Sequence, residues 1–494
     1  MDPRTLRAGE EPGGGLPLFH LADVAATAGG RLLAGAGGAA LFGLAVDTRA
    51  VRPGDLFCAL RGERVDAHRL IPAALAAGAA AVLVDRPDGQ SWRLADLPPG
   101  RGAVWVPSVP AALGRLAAAH LTRLRAAGGG PRVAAVTGSV GKTGTRLLMA
   151  AALGGAGDPV LAGQDSFNTE ITVPLVCLRA RPAHRFAALE LAMRGRGQIA
   201  HLAEVCRPEV GVVTVIGESH LEVLGSLQSI VVAKGELVEA LPRDGVAVLN
   251  ADDPRQQALR ARARCPVLTY GAAPGADVQA VDTRVGPDGA YFTARVRGRA
   301  VPVRLALLGG HQVHNALAAL ACAGAMGVDL EVAAAALAGV RSPQARLELR
   351  PCGVLRLLDD AYNAAPQSTL AALRTLTLLA PAGERAAVLG DMRELGEAAD
   401  AGHEAVGRCA AEVGLRWLLT VGPLAEGIAR AARRAGMPAA AVYAVPAKAE
   451  AARLLPELLT PGLTVLVKGS RAVGLEETAE AIAQWGRARA APAR

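Results

Sequence analysis

One turn, Val136-Thr137-Gly138-Ser139-Val140-Gly141-Lys142-Thr143, constrains this chain more than any other stretch. An apolar run at residues 132–136 precedes it and a helical pattern over residues 143–153 follows it. Glycines that carry a strand sharply into a helix leave successive backbone N–H groups facing one point, and the helix dipole adds to their pull on an anion. A strict eight-residue phosphate loop would have Gly at 136, where this chain has Val; the short form, Gly-x-x-Gly-Lys-Thr, is complete. In that pattern Gly138, Ser139, Val140 and Gly141 wrap a nucleotide's phosphates, Lys142 reaches the outer ones, and the Thr143 hydroxyl is a Mg²⁺ ligand.

Lysine usage singles out the same place. Lys and Arg total 53, but only Lys142, Lys234, Lys448 and Lys468 are lysine. A chain so biased toward Arg keeps Lys where a compact or modifiable amine is needed. Lys142, Lys234 and Lys468 each adjoin glycine; Lys448 lies in an Ala-rich stretch and reads as a solvated charge.

At 494 residues the chain exceeds one typical core. Apolar residues make up 51% and aromatics 3%, which suits Ala-rich helices against Val/Leu strands and excludes disorder. The longest apolar run, over residues 71–84, is too short to span a bilayer, and the first residues lack an apolar export signal. Seven scattered cysteines without a CxxC pair read as reduced, buried thiols of a cytoplasmic protein. The net charge of +8 comes from dispersed Arg without interleaved aromatics, which argues for anionic small substrates over nucleic acid.

The order of patterns predicts an α/β protein of three units, at residues 16–108, 109–341 and 342–494. The first has short apolar runs around a Pro-Gly turn at residues 53–54, a helix over 68–80 and a strand over 81–84. The second opens with a helix over 109–127 and has strands at 132–136, 186–191, 211–216 and 246–249, which predicts a parallel sheet. Its residues 276–307 alternate in polarity and predict a β-rich edge, followed by a helix over 311–326. The third alternates strands at 354–358, 386–389, 418–421 and 463–467 with helices. Residues 1–15 and 487–494 read as loose tails.

Glu190 ends an apolar strand, where a carboxylate is costly unless it meets a metal or cation. His220 lies just past the next strand, and both sit where open α/β sheets bind ligands. With Thr143 they form a candidate Mg²⁺ site beside a triphosphate. The longer pattern from His220 to Lys234-Gly235-Glu236, with Asp165-Ser166-Phe167-Asn168-Thr169-Glu170 and the glycine turn, strongly resembles the Mur ligase family, the ATP-dependent amide ligases of peptidoglycan precursor synthesis. The resemblance covers nearly the whole chain. It implies a small N-terminal α/β domain for the UDP end of a substrate, a central ATPase and a C-terminal Rossmann-like domain.

Further motifs bear on the substrates. Asp47-Thr48-Arg49 and the segment from Arg61 to His68 resemble the family's UDP-side segment. Asp359-Asp360-Ala361-Tyr362-Asn363-Ala364-Ala365-Pro366, Gly390-Asp391-Met392-Arg393-Glu394-Leu395-Gly396 with His403 beyond, and Lys468-Gly469-Ser470-Arg471 resemble motifs of its last domain. Together they imply ATP, Mg²⁺, a UDP-N-acetylmuramoyl-tripeptide and D-Ala-D-Ala as cofactors and substrates of a cytoplasmic monomer. By the resemblance, Lys142, Glu190, His220 and Lys234 are catalytic. Thr143, Glu190, His220 and a carbamylated Lys234 are implied metal ligands; Arg could not form the carbamate. His311, Asn315, Arg346 and Asp360 join the glycine turn in holding ATP. Thr48, Arg49, Asn168, Thr169, Glu170, Tyr362, Asn363, Asp391, Lys468 and Ser470 face the other substrates, with Lys468 and Asp391 completing the site when the last domain closes. The pattern is departed from at Gly144, Thr169, Thr172, Ala192, Gln312 and Ala365, none of which removes an implied catalytic group.

Competing readings are the sister ligase that adds the third amino acid, a non-catalytic nucleotide-binding relative, and a phosphate-loop motor or GTPase. The absent Asp-Asn-Pro-Arg segment argues against the first, the intact Lys142, Glu190, His220 and Lys234 against the second, and the last-domain motifs against the third.

Overall fold

The computed structural model describes residues 6–9, 17–62, 65–86, 92–164 and 167–490. Its strands form three large sheets in succession along the chain, with helices packed against them. The first has the spatial order Arg7–Gly9, Gly43–Ala45, Asp55–Cys58, Ala81–Val84, Gly102–Trp105, Arg31–Ala34. Its four middle strands are parallel and its two edges antiparallel. The tail expected over residues 1–15 is therefore not loose at residues 7–9. Asp55 has no exposed surface, and a carboxylate buried so fully requires a cation; the Arg7 guanidinium meets it at 2.7 Å and ties the edge strand down. The helix expected over 68–80 is shorter, a 3₁₀ turn Ala67–Leu70 followed by Ile71–Ala76. Pro72, which belongs in a helix's first turn, sets that start.

In the nine-stranded central sheet, the strand Arg132–Thr137 lies between Phe186–Glu190 on one side and Val210–Val213 on the other. All three are parallel, with Glu190 opposite Val136 and Val213 opposite Thr137. Connections leave this central strand in opposite directions, so a crevice opens at its C-terminal end, where the glycine turn emerges. The alternating stretch supplies the expected β-rich edge, the antiparallel strands Val278–Gly286, Gly289–Val296 and Arg299–Leu305. The strand expected to reach residue 216 stops at Val213, because Thr214 Oγ1 turns to the Val140 carbonyl at 2.6 Å.

The last sheet has the order Glu348–Cys352, Leu355–Asp359, Thr464–Lys468, Arg385–Gly390, Trp417–Val421, Val442–Val445, parallel except for its first strand. It places Asp360, Lys468 and Asp391 at neighbouring strand ends. The helix Glu476–Ala490 extends through residues expected to fray from 487 onward, and its buried Ile482, Ala483 and Gly486 fix it to the sheet. No helix among the described residues is long and apolar enough to cross a membrane.

Candidate active site

The glycine turn has the predicted form. Gly138 sits at φ +148, and a Cβ there would lie 2.0 Å from Thr214 Oγ1, so only glycine fits. Ser139 Oγ donates to the Gly217 carbonyl at 3.0 Å and fastens the turn to the loop after Val210–Val213. Lys142 opens the helix Lys142–Leu153, and its Nζ folds back on the Gly138 and Ser139 carbonyls at 2.9 and 3.1 Å. Burial pushes its amine below the usual lysine range.

Glu190 is 2% exposed. Its Oε2 accepts from Thr143 Oγ1 and its Oε1 from Asn168 Nδ2, both at 2.8 Å. Two oxygen donors so close could hold a small hard cation, which takes few protein ligands and completes its shell with phosphate oxygens and water. Among the described residues no three His, Cys, Asp or Glu side chains converge to hold a metal by themselves. His220 lines the same cleft, but its Nδ1 lies 2.9 Å from Glu394 Oε2.

Lys234, on the helix Leu227–Glu239, is wholly buried beneath the cleft, and its Nζ has no hydrogen-bond partner. Burial pushes its amine well below the ordinary lysine range; the charge of Lys142 adds to this, while Glu190 and Glu236 oppose it. The amines of Lys142 and Lys234 and the Glu190 carboxylate thus share one electrostatic neighbourhood.

The helix His311–Ala325 packs beside the phosphate-loop helix. Asn315 Oδ1 accepts from Thr145 Oγ1 at 3.1 Å, and Asn315 Nδ2 donates to Gln312 Oε1 at 2.9 Å. Gln312 thus serves as an acceptor for Asn315. Burial, with the charge of Lys468, pushes His311 down to about 4 and keeps it neutral.

The last unit faces these groups across a cleft of about 1670 Å³. Lys468 Nζ meets Asp360 Oδ2 at 2.6 Å and the Asn363 carbonyl at 2.9 Å. The guanidinium of Arg346 lies 3.9 Å from the Tyr362 ring centroid, and that of Arg471 lies 4.8 Å from it. Asp391 is nearly buried and accepts from Ala425 N at 2.8 Å, while Ser470 Oγ accepts from Arg393 N at 2.9 Å. Behind them, His403 Nε2 accepts from Met392 N at 3.1 Å and Nδ1 donates to the Ala399 carbonyl at 2.7 Å.

Most of the anticipated residues line this cleft: Ser139 to Thr143, Asn168 to Glu170, Glu190, His220, His311, Asn315, Arg346, Asp360, Tyr362, Asn363, Asp391, Lys468 and Ser470. Thr48 and Arg49 do not. Arg49 pairs with Asp47 at 2.7 Å and borders a separate cavity of about 1100 Å³ between the first sheet and the central unit. Asp165, Ser166, Glu63 and Arg64 lie outside the described residues. Glu394 and Arg471 had no role assigned from sequence although they lie inside the quoted motifs; the signal was their place one strand-end loop away from Asp391 and Lys468.

Three family models match in order: "Mur ligase family, catalytic domain" over residues 42–121, "Mur ligase middle domain" over 136–323 and "Mur ligase, glutamate ligase domain" over 345–471. The UDP-N-acetylmuramoyl-tripeptide–D-alanyl-D-alanine ligase of Mycobacterium tuberculosis strain H37Rv is 38% identical over 88% of this chain and 91% of its own length. Its Escherichia coli K12 counterpart is 35% identical over 89% and 93%. A crystal structure of MurF from Acinetobacter baumannii superposes with a TM-score of 0.83 at 28% identity, covering 94% of this chain and 99% of that one. MurF from Thermotoga maritima in complex with ADP gives 0.76 at 27% identity, covering 90% and 98%. A shared fold, three matching models in the same order and relatives above 30% identity along almost nine-tenths of the sequence carry one conclusion: this chain belongs to the Mur ligase family.

Proposed function

We infer that the chain is an ATP-dependent, ADP-forming ligase that joins D-Ala-D-Ala to UDP-N-acetylmuramoyl-tripeptide. The carrying observation is the cleft itself: the phosphate loop and Glu190 of the central unit face Asp360, Lys468 and Ser470 of the last across one space. The nature of the substrates comes from the relatives, which are about as long as this chain and are ligases of that name.

In the first step a carboxylate oxygen of the tripeptide bonds to the γ-phosphorus, the bond to the bridging oxygen breaks, and ADP leaves. The dipeptide amine then attacks the acyl carbon, the C–O bond to phosphate breaks, and the amine's proton leaves with the solvent or the phosphate. Two anions must approach in the first step, so positive charge near Lys142 offsets their repulsion. Lys142 is poised to leave the Gly138 and Ser139 carbonyls for a phosphate that carries full charge. Mg²⁺, held by Thr143 and Glu190, would supply further charge neutralisation at the phosphates. Glu190 is kept in place by Asn168. Because acyl phosphates hydrolyse, the last unit excludes water by covering the cleft. A neutral, unpartnered Lys234 amine is the form that reacts with CO₂, which supports its reading as a carbamate. The seven buried, unpaired cysteines fit work in the reducing cytoplasm.

The test is phosphate release by the purified protein. It should require ATP, the UDP-tripeptide and the dipeptide together, and UDP-dipeptide with a single amino acid should not replace them. ATP hydrolysis at an undiminished rate with neither substrate present would defeat the reading.

A further inference from the structure

The last unit sends one carboxylate onto the central unit beside the phosphate loop. Glu394 lies in the loop after Arg385–Gly390, and His220 lies in the loop after Val210–Val213. Glu394 Oε2 is 2.9 Å from His220 Nδ1, and Glu222 N reaches the Glu394 carbonyl at 3.4 Å. Gly396 completes the junction: it sits at φ +53, and a Cβ there would lie 3.1 Å from Glu222 Cα. Both His220 and Glu394 hold φ +67, a backbone state that non-glycine residues keep only where their surroundings over-determine it. Left-handed residues on both sides of one contact mark a fitted junction.

The Glu394 side chain is 54% exposed, so the ion pair by itself adds little stability. Its consequence is orientation. A carboxylate only accepts, so Nδ1 carries the proton, and in the neutral ring the lone pair is on Nε2. An imidazole that ligates a cation through one nitrogen needs its other nitrogen held, or ring and tautomer are left to solvent.

We propose that Glu394 is a positioning residue for His220: arriving only when the last unit docks, it holds the ring so that Nε2 serves the cation beside the phosphate loop. This rests on the reading of His220 as a cation ligand. Docking then strengthens cation binding, and by linkage the cation strengthens docking by the same factor.

Mn²⁺, a paramagnetic stand-in for Mg²⁺, makes binding measurable without turnover. The full-length protein with a non-hydrolysable ATP analogue is titrated with Mn²⁺ and read by electron paramagnetic resonance, for wild type, Glu394→Ala, Glu394→Gln, His220→Ala and the double variant His220→Ala/Glu394→Ala. Glu394→Ala should weaken Mn²⁺ about 10- to 100-fold, as loss of an outer-shell partner does. Glu394→Gln, which keeps an accepting oxygen, should recover part of that loss. In the His220→Ala background, removing Glu394 should change nothing further, whereas a merely structural role would still show. Equal Mn²⁺ affinity in wild type and Glu394→Ala, or additive losses in the double variant, overturns the proposal alone. Wild-type affinity in His220→Ala overturns the ligand reading beneath it as well. Unchanged thermal unfolding across the set separates these outcomes from misfolding.

Discussion

Lys234 carries the sharpest test at the scale of single residues. Its amine is wholly buried without a hydrogen-bond partner and depressed well below the usual lysine range. In the unfolded chain the amine is protonated below about 10.4. The folded state therefore bears a cost that grows as pH falls from there toward the depressed value and vanishes at higher pH. Lys234→Met, compared with wild type in CO₂-free buffer, should stabilise the protein at pH 7 by about 1–3 kcal/mol, the cost of a buried donor left unpaired. A further gain at pH 7, from removing an amine that must give up its proton to be buried, should fade as pH approaches 10 and leave the unpaired-donor part. The same variant should lose ligase activity by about 100-fold or more, since the proposed carbamate would be a ligand of the cation that offsets charge at the phosphates. Chemical denaturation across pH, with a phosphate-release assay, checks both halves. His311 gives a second titration. Burial holds it neutral down to about 4. Stability it contributes is present above the unfolded value near 6.5 and is lost as pH falls from there toward 4. Its ring resonances should show no inflection between pH 5 and 8.

At the scale of elements, the glycine turn and the Asp391–Gly396 loop are held in different ways. The turn depends on the backbone freedom of Gly138, so Gly138→Ala meets both a left-handed φ and Thr214 Oγ1 at 2.0 Å. It should abolish ATP-analogue binding by calorimetry, and a retained circular dichroism spectrum would place the damage locally. The second loop hangs on His403, whose two ring nitrogens bridge Met392 N and the Ala399 carbonyl. His403→Ala leaves the Met392 N–H unpaired in a buried setting, while the Ala399 carbonyl keeps its helical partner, so it should cost about 1–3 kcal/mol in urea unfolding. It should also lower kcat more than the KM for ATP, because the loop borders the last unit's face of the cleft. Elements with strong local signals were legible in the sequence: the glycine turn, the parallel strands beside it and the alternating edge at 278–305. Short strands such as Arg7–Gly9 and Val160–Ala162 were not, because their place comes from partners far along the chain, Asp55 in the first case and Phe186–Glu190 in the second. The site was legible as a set of residues, but its pairings were not. The resemblance placed Asp360 with ATP and Lys468 with the other substrates without saying that they bind each other, and placed His220 near a metal without Glu394.

For the molecule as a whole, the three units are not equally independent, and this was hidden from a sequence that divides into three similar α/β patterns. One continuous core runs from Leu18 and Val24 of the first unit, through the helix Val109–Ala126, to Leu178 and Leu202 of the central one. Polar ties follow the same seam: Arg123 donates to the Leu18 carbonyl at 2.7 Å, and His120 Nε2 lies 2.9 Å from the Ala180 carbonyl. The last unit covers both faces of its sheet with its own side chains, Leu373, Leu376, Val406 and Ile428 on one and Leu455, Leu475, Ile482 and Ala483 on the other. Within these two clusters only Leu308 comes from the central unit. A piece that buries its own apolar faces folds alone, and one whose sheet face is covered by a neighbour does not. A fragment of residues 342–494 should therefore fold, with a single cooperative urea transition reported by the buried Trp417. A fragment of residues 1–108 lacks the helix that covers Leu21, Val24 and Val104, and should bind a hydrophobic dye and unfold without a transition. The intact chain should then show two thermal transitions, with the later one belonging to the first and central units together. An ATP analogue with Mg²⁺, bridging the cleft, should raise the earlier transition toward the later, because ligand that binds only the docked state stabilises docking. Calorimetry with and without the analogue decides it: a single transition already present without the analogue would mean that the last unit is fused to the rest and does not act as a lid.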